Sequence, residues 1–328
     1  MRVTYYMRPK TGNFGSIERL FGDITKALPQ SILTKVVYSR FSPKTPWGFL
    51  YDIVEASFRQ GDVNHITGDI HIVSLLLHRR KTLLTIHDLV PLHTLKGLQR
   101  LIVRNIWYRF SINRVKSVAV ISQSVKDELI KQFNINSDKI NVVHDCVSDE
   151  FTPTPKPFNQ EKPVVLQVGT KWMKNVERVA EALENISCHL RIIGHLNDSQ
   201  SATLKNFNID YTNVVNISDK RIVKEYKRCD ILLFASLYEG FGLPIVEAQA
   251  IGRPVITSNI HSMPEVGGDA ACLVDPFDPI SIRNGVIRII NDNFYREQLV
   301  KKGYKNVERF NSVEIAKKYL NIYSELHS

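Results

Sequence analysis

Two glutamates stand eight positions apart in the stretch SLYEGFGLPIVEAQA, at Glu239 and Glu247, with Gly240, Phe241, Gly242 and Pro244 between them. Acids flanking a glycine turn suit three jobs: a catalytic pair, a clamp for sugar hydroxyls, or the cap of a helix. Glycines free the backbone to turn closely. Proline suits the first position of a helix, where its missing N–H has no intrahelical partner. Glu247 is therefore expected in the first turn or so of a helix that follows the buried strand DILLF. The free N–H groups of that helix end, with those of Phe241, Gly242 and Leu243, make an edge that binds anions and hydroxyls. A carboxylate beside such an edge can accept two hydrogen bonds from a vicinal diol such as a ribose. The plainer alternative is a glutamate that complements the helix dipole, worth about 0.3–1 kcal/mol.

Residues so placed need a strand to carry them and a helix to receive them. Short β-rich runs alternate with amphipathic stretches along all 328 residues, the pattern of parallel sheets with crossover helices. In the first half the runs are RVTYYM, TKVVYS, VNHI, KTLLTI, SVAVI and INVV; in the second, PVVLQV, CHLRII, TNVVNI, DILLF, RPVIT and ACLV. Between the halves, FTPTPKPFNQEKP (151–163) carries four prolines, breaks both periods and reads as an interdomain linker. The expected fold class is α/β, with two doubly wound Rossmann-like domains facing a cleft. Their expected extents are 1–155 and 156–310, followed by a C-terminal helix over 311–328. Ligands of such sheets bind outside the carboxyl ends of the strands. That directs attention to TGNFGS (11–16), ITGD (66–69), HDLVPL (87–92), GTKWMKN (169–175) and SNIHSMPEV (258–266), besides the glutamate stretch.

Composition narrows the class. The four cysteines, Cys146, Cys188, Cys229 and Cys272, have neither metal-knuckle nor redox spacing and read as reduced, buried thiols of a cytosolic protein. The start, MRVTYYMRPK, has no apolar signal core, and runs such as ILLFASL stop far short of the ~20 residues of a membrane span. Net charge is +10, and the first 156 residues hold 22 Lys and Arg against 13 acids while the remainder hold 21 against 20. The excess implies that the first half faces an anionic partner: nucleic acid, a phosphorylated substrate or a membrane surface. The segment LQRLIVRNIWYRFSINRVKS (98–117) interleaves Arg100, Arg104, Arg109, Arg114 and Lys116 with Trp107, Tyr108 and Phe110. It suits a helix at an anionic membrane surface or beside a pyrophosphate-linked lipid, or equally an ordinary helix with a solvated basic face. No D-x-D lies on a strand-end loop, which argues against an obligatory metal–diphosphate bridge. No G-x-G-x-x-G follows the first strand, and neither a nucleophile elbow nor a His/Cys metal set occurs.

The run from Glu239 through Gly-Phe-Gly-Leu-Pro-Ile-Val to Glu247, with EAQAIGRPVITSN and MPEVGGDAACLVDPFDP, closely resembles retaining family 4 glycosyltransferases, mannosyltransferases included, whose fold is the two-Rossmann GT-B type. The resemblance is specific over 160–290 and looser over 60–150, through VNHITGD, TIHDLVPL and VISQSVKDEL. It implies that Glu247 binds the donor ribose and that Glu239 lies near the transferred sugar. Backbone amides of Gly240, Phe241, Gly242 and Leu243 would then bond the sugar. VGTKWMKN resembles the family's strand-end glycine followed by Lys-Asn, which puts Gly169 at the turn and Lys174 on the donor diphosphate. Relatives place an arginine after that glycine; here the position is Thr170, and Lys171 is the substitute cation. His87 resembles the family's active-site histidine, which reaches the transferred sugar, although a lone histidine is more often structural. Asp88 is expected to orient its loop or touch the acceptor. TGNFGS departs from the family's Gly-Gly pair, leaving Gly12 and Gly15 for close approach to phosphate. The C-terminal helix, SVEIAKKYLNIYSEL, is expected to cross back to the first domain, as in the family.

The resulting expectation is a metal-independent, cofactor-free hexosyltransferase. Its donor would be GDP-mannose or a UDP-sugar, and its acceptor a glycan or a polyprenyl-diphosphate-linked glycan. The expected setting is surface polysaccharide, lipopolysaccharide or O-antigen assembly, in the cytoplasm and in peripheral contact with an anionic membrane, without nucleic acid. Two rivals stand beside it: a nucleotide-sugar epimerase or phosphorylase on the same fold, and a basic nucleic-acid-binding protein.

Overall fold

The computed structural model describes residues 1–9, 16–41 and 46–328. It divides into two compact units, one of Met1–Cys146 with Ser312–Ser328 and one of Val147–Asn311.

The first unit holds β1 (Arg2–Met7), β2 (Leu33–Tyr38), β3 (Val63–Ile66), β4 (Thr82–Ile86), β5 (Ser117–Val120) and β6 (Ile140–Val142). They form one sheet in the order β2-β1-β3-β4-β5-β6, and every pairing is parallel. Parallel strands need helical crossovers on both faces, so both faces are buried and the strands are apolar almost throughout. Along β1, Val3, Tyr5 and Met7 enter one core while Tyr6 enters the opposite one. The helices Ser16–Ala27 and Ser312–His327 cover the Val3 face, the latter through Ile315, Tyr319 and Tyr323. That face also carries buried polar groups. The Tyr323 hydroxyl lies 2.7 Å from His65 Nδ1 and 3.0 Å from the Tyr5 hydroxyl, while His65 Nε2 meets Thr85 Oγ1 at 2.7 Å. Burial holds the His65 imidazolium pKa well below its ordinary value, so the ring sits there neutral, paired on both nitrogens.

The second unit holds β7 (Val164–Val168), β8 (His189–Ile193), β9 (Tyr211–Val214), β10 (Ile231–Phe234), β11 (Val255–Ser258) and β12 (Cys272–Val274). Its sheet runs β12-β11-β10-β7-β8-β9, again all parallel. The strand order reverses direction between β7 and β10, the position at which doubly wound sheets bind ligands. The proline-bearing stretch 151–163 is packed within this unit: Thr154 N–H donates to the Ile251 carbonyl, and Lys156 pairs with Asp230 at 2.8 Å. Asp230 in turn accepts from the backbone of Asn159 and Val164. No helix among the described residues is long and apolar enough to cross a membrane.

Tyr323→Phe keeps the ring and removes the hydroxyl that both His65 and Tyr5 use. The expected cost is about 1–3 kcal/mol, the desolvation penalty of the groups left behind. Urea unfolding, with amide exchange of the helix Ser312–His327 as the local probe, checks it.

Candidate active site

β7 and β10 are hydrogen-bonded neighbours, and each runs into a loop that carries residues singled out in the sequence. After β10 the chain turns through 240–242 into the helix Leu243–Ile251. Gly242 has φ of 108°, a conformation L side chains rarely adopt, so glycine is required there. The Ser262 hydroxyl holds the turn, lying 2.9 Å from the Glu239 carbonyl and 2.8 Å from the Phe241 carbonyl, between which it shares one proton. The Phe241 ring is buried edge-on against Phe310, so this residue offers a ligand its backbone rather than its side chain. Pro244 is the second residue of the helix rather than the first, and Glu247 is the fifth. The carboxylate thus belongs to the second turn, beyond the reach of most of the dipole effect. Glu247 is 5% exposed and accepts a 2.6 Å hydrogen bond from the Tyr226 hydroxyl.

The loop after β7 meets this turn directly. The Lys174 ammonium pairs with Glu239 Oε1 at 2.6 Å, and both side chains are 16% exposed. Three contacts fix the lysine's path. Its Nζ stands 4.4 Å from the centre of the Phe234 ring. Its aliphatic stem crosses Gly169, where a Cβ would come within 2.9 Å of Lys174 Cε, and Gly169 itself has φ of 89°. Asn175, at φ 62°, ties the loop down by donating to the carbonyls of Ala235 and Pro276 at 3.0 and 2.7 Å before the helix Val176–Leu183 begins. Thr170 commits its hydroxyl to the His195 carbonyl at 2.6 Å, so its side chain braces β8. Lys171 is exposed and forms no ion pair among the described residues.

In the first unit His87 follows β4 immediately. Its Nε2 donates to the Thr67 carbonyl at 2.9 Å, and its Nδ1 stands 4.0 Å from Asp145 Oδ1. Asp145 is 6% exposed, and burial pushes its carboxyl pKa up to about 6 against the opposing pull of His87 and His144. Asp88 Oδ1 accepts from Val90 N–H at 2.9 Å and its carbonyl accepts from the Tyr108 hydroxyl, so Asp88 shapes the loop behind the histidine. Gly12 and Gly15 lie outside the described residues. Among the described residues no cluster of His, Cys, Asp and Glu could hold a metal ion. Sequence reasoning missed Asp145, Tyr226 and Ser262. Of these only Ser262 lay on a loop already marked, while the other two carry no motif of their own.

Two parallel doubly wound sheets, with a glycine turn and a lysine–glutamate pair at the switch point of the second, define the GT-B class of α/β protein. The family model for glycosyl transferases group 1 matches residues 148–306, and that for glycosyltransferase family 4 matches 35–151. The chain belongs to the family 4 glycosyltransferases of GT-B fold. It is 26% identical over 240 residues to the Escherichia coli O-antigen chain mannosyltransferase B, covering 66% of this chain and 62% of that protein. It is 27% identical over 234 residues to the Salmonella typhimurium O-antigen chain mannosyltransferase RfbU, covering 67% and 63%. The matched stretch therefore spans somewhat under two thirds of either relative's own length. Among solved structures, Anabaena HepE in complex with UDP and glucose shares the fold at a TM-score of 0.76, with 14% identity over 98% of this chain and 99% of that one.

Asp145 makes a pH prediction. Its folded pKa, about 6, lies above the ordinary 3.8, so between those values the folded chain binds more protons than the unfolded one. Stability contributed by this group is then lost as pH rises through that window. Asp145→Asn should flatten the decline and gain about 1–3 kcal/mol at neutral pH, read as chemical-denaturation midpoints at several pH values.

Proposed function

We propose that this chain is a retaining, metal-independent hexosyltransferase that moves a sugar from a nucleotide-sugar donor to a hydroxyl of a glycan or polyprenyl-diphosphate-linked glycan. The observation that carries the reading is the Lys174–Glu239 pair beside the glycine turn, at the sheet position where doubly wound folds bind nucleotides. In this reading Glu247 accepts hydrogen bonds from the ribose diol, and the amides of 240–243 meet the sugar near Glu239. Lys174 leaves Glu239 for the diphosphate as charge develops on the leaving group, and Lys171 supplies a second cation where Thr170 offers none. His87 meets the transferred sugar. The bond from the anomeric carbon to the diphosphate oxygen breaks and the acceptor oxygen bonds to that carbon on the same face. The departing diphosphate oxygen takes the acceptor proton, so no protein nucleophile or cofactor takes part. The mannosyltransferase relatives favour GDP-mannose, while the UDP-bound neighbour keeps UDP-sugars open. The setting is O-antigen or related surface polysaccharide assembly at the inner face of the cell membrane. An epimerase or phosphorylase would instead turn over without an acceptor, or with phosphate.

A lipid-linked acceptor brings the enzyme to a membrane, and one surface of the first unit suits that encounter. Residues 89–126 contain seven Lys and Arg and no acid. The helix over 97–114, wound with five-residue spacing across Val103–Phe110, leaves Leu98, Leu101, Ile102, Ile106 and Phe110 about half exposed or more, 45% at the least. A neighbouring helix, Pro46–Ser57, exposes Leu50, Tyr51 and Val54, and touches the first through Phe49 and Trp107. Not all the charges are available: Arg100, Arg104 and Arg114 donate to backbone carbonyls, and Trp107 and Tyr108 pack inward. Arg109, Lys96 and Lys116 are exposed beside the apolar stripe. Apolar side chains flanked by cations are what an anionic bilayer interface receives.

Two measurements follow. In a thermal-shift panel of GDP, UDP and their sugars, the cognate nucleotide should raise the melting temperature by a few degrees at saturation. Glu247→Ala should abolish that rise, and no stabilisation by any nucleotide would sink the transferase reading. In vesicle sedimentation, the chain should bind phosphatidylglycerol-containing vesicles but not pure phosphatidylcholine, and less at high salt. The double variant Ile102→Asp with Ile106→Asp should remain in solution; its continued binding would remove this face from the membrane.

A further inference from the structure

The second unit carries two buried guanidinium groups that no carboxylate touches among the described residues. Arg253 is 3% exposed and Arg296 is 7% exposed. Arg253 donates to the carbonyls of Gly252 and Lys227 at 3.2 and 2.7 Å, while its Nε, also buried, meets no acceptor. Arg296 donates to the Ile289 and Ile290 carbonyls and to Asn293 Oδ1, with its guanidinium 3.9 Å from the centre of the Phe158 ring. Cys229, which acts on Arg253, offers no negative charge, because burial pushes its thiol pKa up to about 12. Buried charges are ordinarily paired with an opposite one, and burial works against both of these.

Both arginines line one cavity of about 520 Å³. Its walls are the stretch 155–158 and the helix Asn293–Val307, with Asp230 and 252–254 between them. Asp230 and Pro254 immediately precede β10 and β11, so the cavity lies at the amino ends of these strands, the sheet edge opposite Lys174 and Glu239. Four cations line it, Lys156 and Lys301 besides the arginines, against two carboxylates, Asp230 and Glu297. Asp230 is already matched, paired with Lys156 at 2.8 Å and accepting from two backbone amides. Glu297 is exposed and accepts from Asn293. The lining therefore keeps a surplus of two positive charges. The Tyr304 hydroxyl lies close enough to Gly252 to exclude any side chain there, and it makes no hydrogen bond among the described residues. Lys301, one turn back on the same helix, is exposed and forms no ion pair among the described residues.

We propose that this cavity binds a phosphate monoester, with the phosphate among Arg253, Tyr304 and Lys301 and the organic body against Pro157, Phe158 and Pro254. The charge selects the phosphate, since a monoester carries about −1.5 to −2 at pH 7 and matches the surplus, whereas a carboxylate would leave half of it. Its oxygens accept from the N–H and O–H groups that the protein leaves unused. The size selects an ester over the inorganic ion, because cavities of ~300–1,000 Å³ hold whole organic molecules. Two prolines and a phenylalanine offer nothing to a bare anion. A sugar phosphate and an aryl phosphate share this chemistry. The site stands apart from the glycine turn and does not rest on the transferase reading.

Calorimetry of the full chain in phosphate-free buffer tests it, with phenyl phosphate and glucose 6-phosphate as probes and inorganic phosphate, benzoate and phenol as controls. One ester should bind once per chain and about tenfold or more tighter than every control. Preference for phenyl phosphate assigns an apolar body, and preference for glucose 6-phosphate a sugar. Arg253→Gln should abolish binding, but it also gives up the contact with Lys227. Two gentler variants therefore carry the test. Lys301→Glu should weaken the ester about tenfold or more, and Tyr304→Phe about fivefold, with melting temperatures unchanged. Lys174→Ala should leave the affinity as it is. Loss of binding in Lys174→Ala with full affinity in Lys301→Glu would place the ester at the glycine turn and overturn the inference. Esters no tighter than inorganic phosphate or benzoate, or no heat from either ester up to about 10 mM, would overturn it as well. None of these results bears on whether GDP or UDP stabilises the chain, so the two readings fail separately.

Discussion

Strands that are parallel and covered on both faces meet water only at their ends, and this constraint organises the chemistry of the whole chain. Each of the two sheets is all parallel, and the side chains of their central strands are buried on both sides. Polar groups inside such a sheet must pair with one another, as His65, Thr85, Tyr5 and Tyr323 do. Groups meant for a ligand are confined to the turns where strands become helices. His87, Lys174 and Glu239 all stand within a few residues of a strand's carboxyl end. In the second unit the reversal between β7 and β10 parts the helices that would otherwise crowd that edge. Lys174 and Glu239 come from the loops on either side of that parting.

The two groups of polar residues are poised in different ways. Lys174 is guided by the bare backbone of Gly169, the face of Phe234 and the carboxylate of Glu239, so its charge is already matched. An anion arriving there competes with Glu239 for the ammonium, and partial burial of both partners makes that exchange stronger than it would be on an open surface. His87 and Asp145 are set slightly too far apart to satisfy each other directly. One pair is closed at 2.6 Å and the other stands open at 4.0 Å.

Much of the fold was legible in the sequence, because parallel strands announce themselves as short apolar runs at regular intervals. All the runs named from sequence are strands, with ends displaced by three residues at most, the largest being TNVVNI, whose strand stops at Val214. The loops bearing Lys174 and Glu239 were legible for the same reason: glycines between a strand and a helix mark close turns. What could not be read was anything set by distant contacts. Asp145 looks like any acid in a loop until β4 and the segment after β6 bring it beside His87. Tyr226 looks like a helix residue until its hydroxyl meets Glu247. The aromatics of 98–117 suggested an exposed surface, but Trp107 and Tyr108 turn inward, and Phe110 alone of the three joins the aliphatic residues of the exposed stripe. Helical spacing can say which residues share a face, but not which face is outward when the winding changes along Val103–Phe110.

The chain leaves its first unit after Cys146 and re-enters it at Ser312. The second unit is thus an insertion in the first, and the Val147 amide donates to the Phe310 carbonyl where the insertion opens and closes. A chain emerging from the ribosome in order makes all six strands of the first sheet early. The helix that covers one of its faces, with Tyr319 and Tyr323, is translated after the whole second unit. Until then Val3, Tyr5, His65 and their neighbours have only the helix Ser16–Ala27 on that face. The order of synthesis therefore leaves that face half covered until the helix Ser312–His327 has been made.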